Sequence, residues 1–309
     1  MDRLLITGGC GFIGLNLIDF LQKYSSYNYN IIVLDNLTLG RRKYLSDYDV
    51  EFVEGDIRDS SLLKKLMKKV NSVIHLAADT RVVDSIANPD FNFNVNVEGT
   101  YNLLRAAQKE GVERFVLAST GGAITGKAKS PVNESMAPQP LSPYGASKLS
   151  AEGYCSAFAG SYGMKTVSLR FSNVYGPFSN HKNSVVAAFF KNILKGKPLS
   201  VYGDGSQTRD FILSEDLCSA IINALNIKEG GEVYQLGSGI ETSINTLISI
   251  IREIVEPSYT FKVSYKSFRE GEIKHNYSDI GKAKKFIGYN PLTNLSEGLK
   301  KTWDWFCKE

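Results

Sequence analysis

Residues 4–14 of the 309-residue chain read LLITGGCGFIG and join an apolar run to glycines at positions 8, 11 and 14. A short apolar run followed by an amphipathic pattern over 13–24 predicts a buried strand, a tight turn and a helix. Glycines in that turn let the backbone approach a phosphate group closely, and the N–H groups at the start of the helix favour negative charge. The stretch therefore predicts a strand–turn–helix unit that binds a diphosphate.

The same alternation of strand and helix continues through the first half of the chain. Further apolar, strand-like runs lie at 31–35, 51–53, 73–76, 115–118 and 166–170. Helical patterns lie between them at 60–69, 95–110 and 146–161. Repeated βαβ units build a parallel sheet with helices on both faces, so the predicted fold class is α/β, a doubly wound parallel sheet of the Rossmann type.

The texture of the sequence changes after about residue 170, where loops rich in Gly, Pro and Asn separate shorter elements. We predict that residues 1–172 form the Rossmann domain and that residues 173–309 mainly form a smaller C-terminal substrate-binding lobe. The chain is expected to return to the first domain around 210–236. The sequence contains no repeat or flexible linker, which predicts that the two lobes pack closely.

An acidic residue, Asp35, ends the second predicted strand about 20 residues beyond the glycines. A carboxylate at this place binds the two ribose hydroxyls of NAD and repels the 2′-phosphate of NADP. The pattern therefore predicts NAD as the cofactor. Arg41 and Arg42 follow closely in the sequence and leave NADP open as an alternative.

A tyrosine and a lysine, Tyr144 and Lys148, lie four residues apart where a helix is predicted to begin. That spacing places the phenol and the ammonium on one helix face. A nearby ammonium lowers the pKa of a phenol, which would let Tyr144 act as a general base closer to neutral pH. The strand at 115–118 leads to Ser119 and Thr120, whose hydroxyls can bond the same substrate oxygen. Together with the glycine turn, these residues predict a catalytic site.

These motifs resemble those of the extended short-chain dehydrogenase/reductase family, and within it the NAD-dependent sugar-nucleotide epimerases and dehydratases. The resemblance is strongest to the UDP-galactose (UDP-glucose) 4-epimerase group and runs from residue 4 to about residue 305. The further motifs that carry it are Asp35-Asn36-Leu37, Gly55-Asp56-Ile57, His75-Leu76-Ala77-Ala78, Asn96-Val97-Glu98-Gly99-Thr100, Arg170-Phe171-Ser172-Asn173-Val174-Tyr175-Gly176-Pro177, Gly203-Asp204-Gly205, Thr208-Arg209-Asp210-Phe211 and Arg269-Glu270-Gly271-Glu272.

The resemblance implies a role for each of several residues. It implies that NAD contacts Gly8, Gly11, Phe12, Ile13, Gly14, Asp35, Asn36, Asp56, Ile57, Ala77, Ala78, Asn96, Tyr144 and Lys148. It implies catalytic roles for Thr120, Tyr144 and Lys148, and contacts to a nucleotide sugar from Thr120, Asn173, Arg209, Arg269 and Glu272. It also implies a homodimer, with the helices at 95–110 and 146–161 as candidate faces.

The activity implied is 4-epimerisation of a UDP-hexose of the glucose, N-acetylglucosamine or glucuronate type, through a transient 4-keto sugar. The alternative is an NAD-dependent nucleotide-sugar dehydratase that carries out a 4,6- or 5,6-elimination. In 4,6-dehydratases an Asp-Glu pair typically follows the threonine, whereas Gly121 and Gly122 follow Thr120 here, which favours the epimerase. A non-catalytic NAD-binding sensor or scaffold is a third alternative, although such proteins usually lose the tyrosine or the lysine.

Three positions depart from the usual pattern of the family and bear on the sugar. Thr125 replaces a frequent tyrosine, Ser172 replaces a usual aromatic residue, and Arg81 stands where small residues are common. These changes could widen the pocket for an N-acetyl group, or Arg81 could pair with the carboxylate of a uronate. Arg81 is therefore a further candidate substrate-binding residue.

Charge and cysteine content argue against other classes of function. The chain has 36 basic and 32 acidic residues and a formal charge of +4, which does not predict nucleic-acid binding. Its four cysteines, Cys10, Cys155, Cys218 and Cys307, are too scattered to predict a metal site or disulfides. With no charged-then-apolar leader and no apolar run of about 18 residues, we expect a cytoplasmic protein without a membrane segment.

Overall fold

The computed structural model describes residues 2–24, 28–268 and 273–309. Its strands are β1 (Asp2–Thr7), β2 (Tyr29–Asp35), β3 (Glu51–Glu54), β4 (Ser72–His75), β5 (Arg114–Thr120), β6 (Lys165–Phe171), β7 (Asn173–Tyr175), β8 (Leu199–Tyr202), β9 (Thr208–Arg209), β10 (Phe211–Leu213), β11 (Glu232–Leu236), β12 (Thr242–Ser243) and β13 (Val263–Lys266). Its α-helices are α1 (Phe12–Lys23), α2 (Ser60–Met67), α3 (Val82–Ala87), α4 (Pro89–Phe93), α5 (Gly99–Lys109), α6 (Gly122–Thr125), α7 (Pro143–Tyr162), α8 (Val185–Leu194), α9 (Ser214–Ala224), α10 (Ile244–Val255), α11 (Gly281–Ile287) and α12 (Leu295–Phe306). Among the helices of the described residues, none is long and apolar enough to cross a membrane.

One parallel sheet organises the first lobe. Its strand order is β11-β6-β5-β4-β1-β2-β3, and each neighbouring pair is parallel. The chain winds outward from β1 in both directions, which opens a crevice at the carboxyl ends of β1 and β4. The predicted α/β Rossmann fold is therefore confirmed, and the crevice is where a ligand of such a sheet is expected.

Both faces of the sheet are buried, which explains why its strands read as continuous apolar runs. Successive side chains of a strand point to opposite faces. Leu4 and Ile6 accordingly pack in one core with α1 and α9, while Leu5 packs in a second core with α2, α5 and α7. The two cores fix the sheet between two helical layers.

The helix starts near the crevice differ from the sequence prediction. Helix α7 begins at Pro143, before the predicted residue 146, because Ser142 Oγ accepts a hydrogen bond from Gly145 N and caps the helix. The helix predicted at 95–110 instead starts with a π-helical turn, Asn94–Glu98, which precedes α5. A π turn is a local bulge of the helix, and such bulges are frequent at functional sites.

The second lobe has its own core. Phe190, Ile251 and Trp303, from α8, α10 and α12, meet in it, and the short pairs β7–β10, β8–β13 and β9–β12 frame it. The chain returns to the main sheet as β11, and the boundary predicted at 172/173 falls between β6 and β7. The division into domains at that residue stays a prediction.

A buried ion pair joins α7 to the sheet directly beneath the crevice. Arg170 Nη2 lies 2.7 Å from Glu152 Oε2, and only 5% of each side chain is exposed. Ser119 Oγ donates to the other carboxylate oxygen at 2.6 Å. The pair therefore fixes the helix that carries Tyr144 and Lys148 against β5 and β6.

Breaking this ion pair is expected to destabilise the fold. Glu152→Gln leaves Arg170 buried without its counter-charge and should lower the free energy of unfolding by about 3–5 kcal/mol, measured by urea denaturation. Glu113→Gln removes an exposed carboxylate 3.5 Å from Arg114 and should cost less than about 1 kcal/mol. Equal effects of the two substitutions would show that the buried pair contributes nothing special.

Candidate active site

A large cavity of about 850 Å³ occupies the crevice and extends between the two lobes. Its size lies in the upper part of the range for small-molecule sites. Sixteen of the residues predicted from the sequence line it: Gly8, Gly11, Phe12, Ile13, Gly14, Asp35, Asn36, Asp56, Ile57, Ala77, Ala78, Thr120, Tyr144, Lys148, Asn173 and Arg209. The structure thus brings together residues from both ends of the chain.

The glycine turn fits a diphosphate because its backbone has no room for side chains. Gly8 has a φ of +70°, and a Cβ placed on it would lie 2.7 Å from Ala77 N. A Cβ on Gly14 would lie 2.5 Å from Gly9 Cα. Helix α1 follows with Gly11 as its N-cap, so no side chain covers the first N–H groups of the helix. The turn and these N–H groups would hold the diphosphate of NAD.

Asp35 lies at the end of β2 with its carboxylate tied to the backbone. Oδ2 accepts a hydrogen bond from Cys10 N at 3.0 Å, and Oδ1 accepts one from Leu37 N at 2.8 Å. Burial raises the pKa of Asp35, and the two N–H groups oppose that rise. The carboxylate therefore both supports the glycine turn and stays available at the cavity wall to a ribose.

Two further predicted cofactor residues are linked to each other beside this wall. Asn36 Nδ2 donates to Asp56 Oδ2 at 2.9 Å, and the guanidinium of Arg58 lies 2.8 Å from the same carboxylate. The hydrogen bond from Arg58 holds the pKa of Asp56 well below its usual range. Asp56 is therefore ionised at neutral pH and orients Asn36 at the mouth of the cavity.

The predicted catalytic side chains meet at the inner end of the cavity. Thr120, Tyr144 and Lys148 all line this end, and Lys148 Nζ donates to Ala118 O at 2.9 Å. Burial raises the pKa of Tyr144 to about 12, against the Thr120 hydrogen bond and with a smaller rise from the Asp79 carboxylate. The lowering of this phenol pKa that the sequence predicts is not present, because burial is the larger effect.

Lys148 is desolvated at the same place. Burial lowers the pKa of Lys148 to about 8, although the Glu152 carboxylate partly opposes the change. Lys148 therefore binds its proton less tightly than an exposed lysine does and can lose it in mildly alkaline solution.

The lowered pKa of Lys148 predicts how the free energy of unfolding changes with pH. Because its pKa is about 8 in the folded protein and about 10.4 when exposed, the unfolded chain binds the proton more tightly between these values, so stability rises with pH there. With NAD removed, Lys148→Met should be more stable than wild type by roughly 2–3 kcal/mol at pH 7.5, and the difference should vanish near pH 10. Urea denaturation at both pH values measures it, with Lys285→Met as the exposed control. A difference that does not change with pH contradicts the prediction.

Asn96 lies behind the cavity wall and not on it. Its Oδ1 accepts from Asp79 N at 2.8 Å, and its Nδ2 donates to Asp79 O and to Ser147 Oγ. Asn92 Nδ2 in turn donates to Asp79 Oδ2 at 2.9 Å. The two asparagines therefore position Asp79, which lines the cavity beside Thr80 and was not among the predicted residues.

The predicted substrate-binding residues do not all line the cavity. Arg209 and Asn173 line the cavity, and Arg209 Nη1 donates to Ile273 O at 2.9 Å. Arg81 is not part of the lining; its guanidinium lies 3.1 Å from the Asp84 carboxylate, and half of its side chain is exposed. Arg269 and Glu272 lie outside the described residues. The roles of all of these residues stay predictions.

Two cavity residues that the motifs did not single out come from the loop before α8. His181 and Lys182 line the cavity. No spacing or repeat in the sequence marks this loop, since its position depends on contacts with distant parts of the chain.

Among the described residues, no group of His, Cys, Asp and Glu is arranged to hold a metal ion.

Comparisons with known proteins give the chain its relatives. Residues 4–237 match the model of the NAD dependent epimerase/dehydratase family. UDP-glucose 4-epimerase of Mycolicibacterium smegmatis is 34% identical over 316 residues, which cover 98% of each protein. The crystal structure of UDP-glucose 4-epimerase from Thermotoga maritima with UDP-glucose is 36% identical, covers 99% of each chain and has a TM-score of 0.93. UDP-glucuronic acid 4-epimerase from Bacillus cereus, solved with UDP-glucuronic acid and NAD, is 31% identical, covers 99% of each chain and has a TM-score of 0.88.

Proposed function

The chain belongs to the NAD-dependent epimerase/dehydratase family, and from this premise we propose that it is a 4-epimerase of a UDP-hexose. It is an NAD-dependent nucleotide-sugar enzyme. Bound NAD supplies the oxidation of the sugar at C4 and the return of the same hydride. The proposal is that the sugar is UDP-glucose, UDP-N-acetylglucosamine or UDP-glucuronate, and that it passes through a 4-keto form.

The residues of the chain have separate tasks in this reaction. Tyr144 removes the proton from the sugar O4 and returns it after the sugar has turned, acting first as a base and then as an acid. Thr120, which lines the cavity together with Tyr144, holds the same oxygen. Lys148 binds the ribose of the nicotinamide, and Arg209 grips the diphosphate so that the keto sugar turns without leaving.

The surroundings of Gly121 and Gly122, which follow Thr120, are the observation that favours an epimerase over a dehydratase. A Cβ on Gly121 would lie 2.6 Å from Gln235 Oε1, and a Cβ on Gly122 would lie 2.5 Å from Asn276 Nδ2. Gly121 and Gly122 offer no carboxyl group, and the groups that lie beside them are the amides of Gln235 and Asn276. Amides do not transfer protons as carboxyl groups do, so a 4,6-elimination lacks its acid and base at this place.

Two of the three departures from the family pattern, Ser172 and Thr125, differ in their position relative to the cavity. Ser172 lines the cavity, and its Oγ lies 2.8 Å from Ser278 Oγ. Thr125 is buried and donates to Gly121 O, so it does not border the cavity. Ser172 is therefore the departure that bears on the size of the sugar, and a residue this small leaves space for a substituent.

Proton NMR of the anomeric signals tests the function. UDP-glucose, UDP-N-acetylglucosamine and UDP-glucuronate are incubated separately with the enzyme, and the galacto-configured partner of one of them should appear. Tyr144→Phe should keep its NAD but lower kcat by about 100- to 10,000-fold, because the base is lost. Tyr265→Phe, at an exposed site in the second lobe outside the cavity, serves as the control. A deoxy or exocyclic-alkene product would instead identify a dehydratase, and full activity of Tyr144→Phe would show that another group is the base.

We also propose that the protein is a homodimer in which α5 and α7 of one protomer pack against the same helices of its partner. Tyr154 and Tyr162 on α7 are 40% and 58% exposed, and the Tyr101 ring of α5 lies 5.4 Å from the Tyr154 ring. Exposed aromatic residues that lie side by side favour an interface.

Substitution of an interface tyrosine tests this arrangement. Tyr154→Glu should convert a dimer into a monomer in light scattering coupled to gel filtration, because it places a charge in an apolar contact. Tyr265→Glu, at a site 57% exposed in the second lobe, should leave the mass unchanged. A wild-type protein with the mass of one chain would disprove the proposal.

A further inference from the structure

The segment 177–183, which joins β7 to α8, crosses the crevice and contacts the first lobe at three places. Asn16 Nδ2 of α1 donates to Pro177 O at 2.9 Å. Asn180 Nδ2 donates to the hydroxyl of Tyr44 at 3.1 Å, and Lys182 Nζ lies 3.5 Å from Thr80 Oγ1. These partners follow β1, β2 and β4, whose carboxyl ends surround the predicted cofactor site. The segment therefore lies across the cofactor side of the cavity.

The segment is held in one shape. The ring of Phe178 packs against Tyr44 and Trp305, with ring centres 5.5 and 5.4 Å apart. Phe178 has a φ of +59°, a conformation that a residue with a Cβ rarely adopts without support from its surroundings. Lys191 Nζ donates to Lys182 O at 2.6 Å and fixes the other end. Because the segment is held at both ends, the fold fixes the position of Lys182.

Lys182 is the cationic side chain of this segment, and among the described residues no carboxylate forms an ion pair with it. Lys182 is half-buried, and among the described residues its ammonium bonds only the Thr80 hydroxyl. Burial and the nearby Arg81 lower the pKa of Lys182, and burial with several cations, Lys182 and Arg41 among them, lowers the pKa of His181 to about 4. A partly desolvated ammonium without a counter-ion is unfavourable, so this place is suited to an anionic ligand.

The anion nearest to these cations is expected at the glycine turn. Arg41 N donates to Cys10 O within that turn at 3.0 Å, and the Arg41 charge is near enough to His181 to lower the pKa of that imidazole, which links the segment to the side of the turn. The turn itself contains no cationic side chain, because residues 8–14 are GGCGFIG. Arg209, the candidate for the substrate diphosphate, lies on β9, lines the cavity and donates to Ile273 O. We propose that Lys182 binds the diphosphate of NAD and that the segment 177–183 thereby retains the cofactor in the enzyme.

Exchange of bound NAD tests this role without relying on turnover. The holoenzyme is mixed with an excess of radiolabelled NAD, and the rate at which label replaces the bound cofactor is measured. Lys182→Met should exchange about 10- to 100-fold faster than wild type, which corresponds to the loss of one charge-assisted hydrogen bond. Lys182→Arg should stay within a few-fold of wild type, since it keeps the charge. Lys195→Met, which removes an exposed charge just beyond α8, should exchange like wild type.

Salt and a second ligand separate this role from the alternatives. Exchange from wild type should accelerate between 0.05 and 0.5 M NaCl more than exchange from Lys182→Met, because screening weakens only a charged contact. The affinity of UDP for the holoenzyme, measured by calorimetry, should be unchanged in Lys182→Met. Unchanged NAD exchange would overturn the proposal, and unchanged exchange together with weaker UDP binding would assign Lys182 to the substrate diphosphate. A thermal unfolding scan of each variant shows that any loss is not one of folding.

Discussion

Close approach of backbone to backbone at the glycine turn is the constraint on which the site depends. Gly8 leaves room for Ala77 N at a distance where a Cβ would clash, so the end of β1 lies directly against the chain that leaves β4. Gly14 does the same between α1 and its own turn, where a Cβ would meet Gly9. Any side chain at these places would separate the elements and remove the narrow crevice. The carboxylate of Asp35 then fixes the turn from the side of β2, so three strands define one binding edge.

Within that edge, burial changes the pKa values of two predicted catalytic residues. Desolvation raises the pKa of Tyr144 and lowers the pKa of Lys148, so each is moved toward its neutral form. The buried pair of Glu152 and Arg170 holds the helix beneath them without neutralising Lys148 through a direct contact. The fold holds these polar groups in fixed positions but balances their charges only in part. A bound ligand can supply the missing interactions.

The sequence was most informative where structure is local. The strand, turn and helix at residues 4–24 follow from periodicity and glycine spacing, and so does the pairing of Tyr144 with Lys148 on one helix. The position of Lys182 could not be predicted, since it depends on Phe178 packing against Tyr44 and Trp305, which are far apart in the chain. The filling of the space beside Gly121 by Gln235 is a contact of the same long-range kind. Single-sequence patterns carry no information on such contacts.

A 4-epimerisation places a specific demand on cofactor binding, because the sugar ends at the oxidation level at which it began. Release of NAD is then unnecessary in each cycle, and firm retention costs the enzyme nothing in turnover. The segment 177–183 begins directly after β7, whose first residue, Asn173, lines the cavity as a candidate for substrate binding. Movement of this strand to admit a nucleotide sugar would therefore move the residues proposed to hold the cofactor. The packing of Phe178 against Tyr44 and Trp305 opposes such a movement, so a substrate that enters without displacing β7 leaves the proposed cofactor contact intact.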